Sequence, residues 1–184
     1  MTPAGDTLTR LRSATRAQHG RLDALFPRGL ACDRDYRHYL RGMRAIVAAV
    51  VRADASLHRA YAESLRRLDD DLAALGCAAQ PPACSAIDAS LHRLGYRYVI
   101  DGSSMGARVL VRDAMALGWT PSRGASFLAY HVRRGHAAWP RLKRTLAATD
   151  STDAGALVTG AVAAFAFVAD AFIHAATPHP QDTQ

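Results

Sequence analysis

Nowhere along this chain do apolar and polar residues alternate at period two for a strand's length, whereas apolar residues recur at three- and four-residue steps through most of it. That spacing belongs to the helix, and a chain with no amphipathic strand to offer a sheet folds as packed helices. We therefore expect an all-α fold of about seven helices. At 184 residues it suits a single compact domain built on one core, with 1–6 and 178–184 as tails. No segment repeats at a fixed period.

Taken in order, Thr7 can cap a first helix whose face is Leu8, Leu11, Thr15, His19, Leu22 and Phe26, ended by Pro27. This spacing puts His19 on the inward stripe. Asp33 opens a second helix with Tyr36, Leu40, Met43, Val47 and Val50 or Val51 inward and Arg44 and Arg52 to the side. A third, Ala62 to Leu75, stops at Gly76, and its Asp69-Asp70-Asp71 run reads as a solvated face. Pro81-Pro82 makes 77–84 a loop, after which Ser85 and Asp88 resemble a capping box for a helix through Leu94, with Gly95 allowing a break.

Tyr96 to Leu117 then reads as one long helix except for Gly102 and Gly106, one turn apart. An interior glycine costs a helix about 1 kcal/mol relative to alanine, so such a pair signals a bend or the close approach of another body to the backbone. Thr120-Pro121 should begin a further helix and Pro140 another containing Leu142 and Leu146, with Gly135, His136 and Trp139 in the connection. The last helix, Asp153 to Ala176 behind Ser151 or Thr152, is almost wholly apolar. Asp170, His174 and many small residues make it a weak membrane span, so we expect a core helix buried on most sides.

Composition prunes the functions. The formal net charge is +7, but Lys143 and Glu63 are the only residues of their types and the arginines are spread over nearly every segment. This reads as a solvated basic surface rather than a nucleic-acid site. Cys32, Cys77 and Cys84 contain no C-x-x-C, which disfavours a zinc site or a disulfide framework and suits a reducing cytoplasm. Met1 to Arg12 has no apolar signal-peptide core, so a cytoplasmic location is expected. One glutamate cannot build a ferritin-like di-iron centre, and G-x-S-x-G, the phosphate-binding loop and H-E-x-x-H are all missing.

Eight histidines remain as candidates. His38, His58, His92 and His179 fall on polar faces or in the tail, His131 and His136 are ambiguous, and His174, one turn after Asp170, suggests a buried Asp–His hydrogen bond. On periodicity alone His19 is most simply a satisfied core histidine. It differs in its neighbours: Asp23 at i+4 can fix the imidazole tautomer, and Arg16 and Arg12 can meet anionic groups on whatever His19 binds.

Three blocks, Leu11-Arg12-Ser13-Ala14-Thr15 through His19 and Leu22-Asp23, then Asp71 to Gly76, then Tyr98 to Arg108 containing Gly102-Ser103-Ser104-Met105-Gly106, resemble the bacterial, biliverdin-producing heme oxygenases in order and spacing. The resemblance covers roughly residues 8–148. It implies the heme-oxygenase helical fold and a reaction in which heme, both cofactor and substrate, is opened by O₂ and reductase-supplied electrons to biliverdin, CO and iron. By the same resemblance His19 is the iron ligand, Asp23 its supporting acid, and Gly102, Ser103 and Gly106 the catalytic distal wall, with Met105 beside the ring. Tyr98, Arg12, Arg16, Arg133 and Arg134 are then the candidates for the heme propionates. The implied partners are heme, O₂, an electron-donor reductase or ferredoxin, and a bilin-binding photoreceptor as a recipient of product, with neither nucleic acid nor membrane. Ser103 and Ala107 stand where mammalian members have a distal aspartate and a second glycine, and no Lys or Arg follows Arg144. The alternatives are a non-catalytic tetrapyrrole sensor or carrier on the same scaffold, and a helical interaction protein without cofactor.

Overall fold

The computed structural model describes residues 5–77 and 93–176, and the helical spacing is realised there as seven helices with no strand. They are α1 (Gly5–Asp23), α2 (Asp33–Ala53), α3 (Ala55–Ala74), α4 (Arg93–Ser103), α5 (Ala107–Ala116), α6 (Ser126–Ala147) and α7 (Ser151–Ala175). The capping box at Ser85, most of the 77–84 loop, His92 and His179 lie outside the described residues.

Helix α2 buries Tyr36, Leu40, Met43, Val47 and Val50, as its spacing requires. One extended residue, Asp54, separates it from α3, and its carboxylate accepts from the N–H groups of Ser56 at 2.8 Å and Leu57 at 3.1 Å. A cap of this kind is worth about 1 kcal/mol and starts α3 at Ala55, a full two turns before the expected Ala62. At the other end Gly76 takes the left-handed conformation (φ +73°) that stops the helix.

The acidic run is not a uniformly solvated face. Asp69 pairs with Arg44 and Asp70 with Arg66, but Asp71 is buried and accepts from the N–H groups of Ser126 at 3.0 Å and Phe127 at 2.8 Å. A carboxylate on α3 therefore caps the buried start of α6, where the dipole favours negative charge.

That start is at Ser126; Thr120-Pro121 forms a turn closed by Thr120 and Arg123. Pro140 does not begin a new helix but lies within α6, which also contains Gly135, His136 and Trp139. An interior proline costs about 3 kcal/mol. Complete burial of Leu142 and Leu146 beyond it, at about 1.5–3 kcal/mol each, offsets that penalty.

Helix α7 packs on α1, α2 and α4 through Leu157, Ala161, Ala164, Val168 and Phe172. Gly95 is not a break but the crossing point inside α4: a Cβ there would lie 2.6 Å from the carbonyl carbon of Gly160 and 2.7 Å from the nitrogen of Ala161. Contrary to expectation, α7 is buried on one face only, leaving Ala156, Ala163, Ala166 and Ile173 exposed. Its length and apolar composition would suffice to cross a membrane, but its inner face belongs to the core. His38 is also not free in solvent: its Nε2 lies 2.7 Å from the carbonyl oxygen of Phe172, and its ring packs between Phe26 and Phe172.

Candidate functional site

His19 sits near the end of α1, exposed rather than on the inward stripe, its ring centroid 6.0 Å from that of Phe165 on α7. Asp23, one turn later, approaches Nδ1 through Oδ2 at 3.0 Å. A carboxylate can only accept, so Nδ1 carries the proton of the neutral ring and Nε2 keeps its lone pair for an external ligand. Among the described residues no three His, Cys, Asp or Glu side chains converge as a metal cage. A single imidazole suits a metal whose other positions are already filled.

Helices α4 and α5 are separated at Ser104-Met105-Gly106, so the expected bend is a true break. The main chain tightens there: Met105 N–H donates to Gly102 O at 3.1 Å and Val109 N–H to Gly106 O at 2.9 Å, both across three residues. The two serines satisfy carbonyls at the break, Ser103 Oγ donating to Ile100 O at 2.8 Å and Ser104 Oγ to Asp101 O at 2.6 Å.

One face of α6 grips this segment through His131, Arg134 and Gly135. Since the Ser103 hydroxyl donates to Ile100, His131 Nε2–H donates to Ser103 Oγ, at 2.9 Å. Burial, reinforced by the Arg134 charge, pushes the His131 pKa down to about 4, and the ring stacks on Phe127 at 5.2 Å. A Cβ on Gly135 would run into the Ser104 side chain. Arg134 is ion-paired with Asp101, which is wholly buried and also accepts from Tyr61 OH at 2.9 Å. The Arg134 guanidinium lies 4.4 Å from the centre of the Tyr61 ring, and burial together with the Asp101 charge raises the Tyr61 pKa.

The expected site residues are thus placed unequally. Arg134, expected to serve a propionate, is committed to Asp101, whereas Arg12, Arg16 and Arg133 are exposed. Tyr98 is buried with its ring 5.9 Å from that of Trp139. Trp139 also covers Gly102, whose Cβ would sit 3.5 Å from its ring, so Gly102 faces α6. Gly106 is open: a Cβ there would meet only Ser103 O, at 3.7 Å, and Met105 beside it is 53 % exposed. His136 contacts Arg108, and His174 is exposed and bonded to the main-chain oxygen of Asp170 rather than to its carboxylate.

Spacing alone leaves His131 ambiguous and does not mark Tyr61, Asp101 or Trp139 as neighbours of the break. The available signal was Asp101 itself, a carboxylate directly after the apolar Val99-Ile100, which needs a cation once buried. Helix α7 joins the two regions, placing Phe165 against His19 and Phe167 against Tyr96 of α4 at 6.2 Å.

No protein-family model and no curated protein matches this sequence. Among solved structures the chain is similar to the NO- and CO-bound heme oxygenase from Neisseria meningitidis, with a TM-score of 0.72 and 22% identity over 98% of this chain and 95% of that one. At that identity the likeness bears on architecture, and it establishes that this all-helical chain has the heme-oxygenase fold.

Proposed function

We propose that the chain is a cytoplasmic heme oxygenase that cleaves heme to biliverdin, CO and iron with O₂ and electrons from a reductase or ferredoxin. The observation that carries this reading is the His19–Asp23 pair, which leaves one imidazole nitrogen free on a scaffold of heme-oxygenase fold. Heme would supply the iron, which His19 would hold through Nε2, and the meso carbon that is oxidised.

The protein's part is largely positional. Asp23 holds the His19 tautomer. Gly106, where a Cβ would have only Ser103 O in ordinary contact, lets the backbone lie close to the ring. Ser103 is not free to donate, because its proton is directed to Ile100 and it already accepts from His131; its remaining lone pair can accept from a water in the site. Arg12, Arg16 and Arg133 are the cations left for the propionates, Tyr98 contributes through its hydroxyl, and Met105 covers the ring edge.

Hemin titration of the purified protein should give a one-to-one complex with a histidine-ligated spectrum, converted by ascorbate to biliverdin. A His19→Ala variant should lose both. Retention of spectrum and turnover in that variant would sink the assignment. Hemin uptake without ring opening would leave the sensor or carrier reading in its place.

A further inference from the structure

Four positions on one face of α6 meet the end of α4 and the break beyond it: His131, Arg134, Gly135 and Trp139. Arg134 holds Asp101 by charge, while Trp139 and Gly135 fit Gly102 and Ser104 by shape. His131 acts on Ser103 differently, because its hydrogen bond decides where another group's proton points.

Ser103 has one hydroxyl proton and two lone pairs. The Ile100 carbonyl, 2.8 Å from Oγ, can only accept and therefore takes the proton. Turning that hydrogen toward His131 would leave two oxygens facing each other at the same 2.8 Å with nothing between them. The imidazole is 1 % exposed and, with a pKa of about 4, neutral near pH 7, so it has a single N–H to give. That hydrogen is on Nε2, 2.9 Å from Ser103 Oγ, and the Phe127 ring, stacked 16° from parallel, keeps the imidazole plane fixed.

Ser103 does not need His131 to satisfy its proton. Ser104 donates to Asp101 O across the same three residues with no histidine beside it. A leucine at 131 would also pack on Phe127 without the desolvation that a polar ring costs. What His131 adds is direction. It occupies one Ser103 lone pair and locks the hydroxyl proton on Ile100, leaving one acceptor site at the break.

We propose that His131 is a positioning residue for the reaction, acting through Ser103 to hold it as a fixed, acceptor-only group at the α4–α5 break; the inference rests on the heme-oxygenase reading. A water bound at Ser103 is then received in one orientation, one hydrogen on Ser103 and the other free to donate away from it. Without His131 the serine offers two lone pairs, and the water loses that orientation. His131 keeps its own proton throughout.

The test has a ligand-free arm and a turnover arm. In ¹⁵N-labelled ligand-free protein near pH 7, nuclear magnetic resonance should find the His131 ring proton on Nε2 and slow to exchange, its signal assigned by its absence from His131→Gln. Ser103→Ala should speed that exchange. With hemin and ascorbate, His131→Leu should slow biliverdin formation about tenfold or more while hemin affinity stays within about twofold of wild type. His131→Gln, which returns an N–H donor, should recover most of the rate. In a Ser103→Ala background, His131→Leu should have no further effect. A ring proton on Nδ1 would overturn the proposal alone. So would an equal loss from His131→Leu in both backgrounds, which would reduce His131 to packing on Phe127. If His131→Leu does not fold, the tautomer and its dependence on Ser103 decide the question. Absence of biliverdin from wild type with ascorbate would overturn the heme-oxygenase reading, and the reaction role of His131 with it, whatever the tautomer.

Discussion

Gly95→Ala sets two physical effects of opposite sign against each other. Helix propensity alone makes alanine the better residue inside α4, by about 1 kcal/mol. Packing says otherwise, because the new Cβ would lie 2.6, 2.7 and 2.9 Å from the carbonyl carbon of Gly160, the nitrogen of Ala161 and the oxygen of Gly160. All three are main-chain atoms of α7, so no rotamer change relieves them, and the helices must separate by up to about 1 Å to regain ordinary contact. Overpacking of this kind costs roughly 1–3 kcal/mol, and with backbone on both sides the upper end applies, for a net loss of about 2 kcal/mol after the propensity gain. With a urea dependence of about 2 kcal/mol per molar, the unfolding midpoint followed by circular dichroism at 222 nm should fall by about 1 M. Gly155→Ala in α7, where a Cβ meets nothing within 4 Å, is the control and should raise the midpoint. A Gly95→Ala protein as stable as the Gly155→Ala protein would refute the crossing geometry.

Three further outcomes are expected. Asp101→Ala should cost about 3–5 kcal/mol by stranding the half-buried Arg134, and Asp101→Leu/Arg134→Met should recover most of it; urea midpoints that place single and double variants together would contradict the buried clamp. Because the folded His131 pKa lies near 4 against 6.5 in an exposed ring, the unfolded chain binds the extra proton between these values, so stability should fall as pH drops from 6.5 to 4, by up to about 3 kcal/mol. His131→Gln should flatten that slope, and an unchanged pH profile would count against the assignment. On the heme-oxygenase reading, Gly106→Leu should keep the His19-ligated spectrum yet lower turnover about 10- to 100-fold, since a Cβ there makes only an ordinary contact with Ser103 O within the protein; unaltered oxygen kinetics would argue against close backbone approach.

Local order was the legible part of this sequence. The α2 face, the stop at Gly76 and the His19–Asp23 pair each depend on residues within a turn or two, which spacing alone reports. Boundaries decided by energetic competition were not legible. Pro140 reads as a helix start until the burial of Leu142 and Leu146 is known, and local spacing starts the third helix at Ala62 because nothing in it marks Asp54 as the cap that begins α3 at Ala55. The grip on the α4–α5 break was hidden for a different reason. Asp101 finds Tyr61 40 positions earlier and Arg134 33 positions later, and only packing brings such residues together. Exposure was misjudged where size, not polarity, decides: the outer face of α7 is lined largely by alanine, apolar but small enough to leave in water.

The buried carboxylate that α3 lends to α6 makes the two described segments chemically incomplete without each other. Residues 93–176 alone would leave the first N–H groups of α6 without Asp71 and the Asp101 carboxylate without Tyr61, while residues 5–77 alone would hold Asp71 with nothing to cap. A chain cut once between positions 77 and 93 would therefore hold together as a noncovalent pair, each fragment supplying the other's missing hydrogen-bond partners.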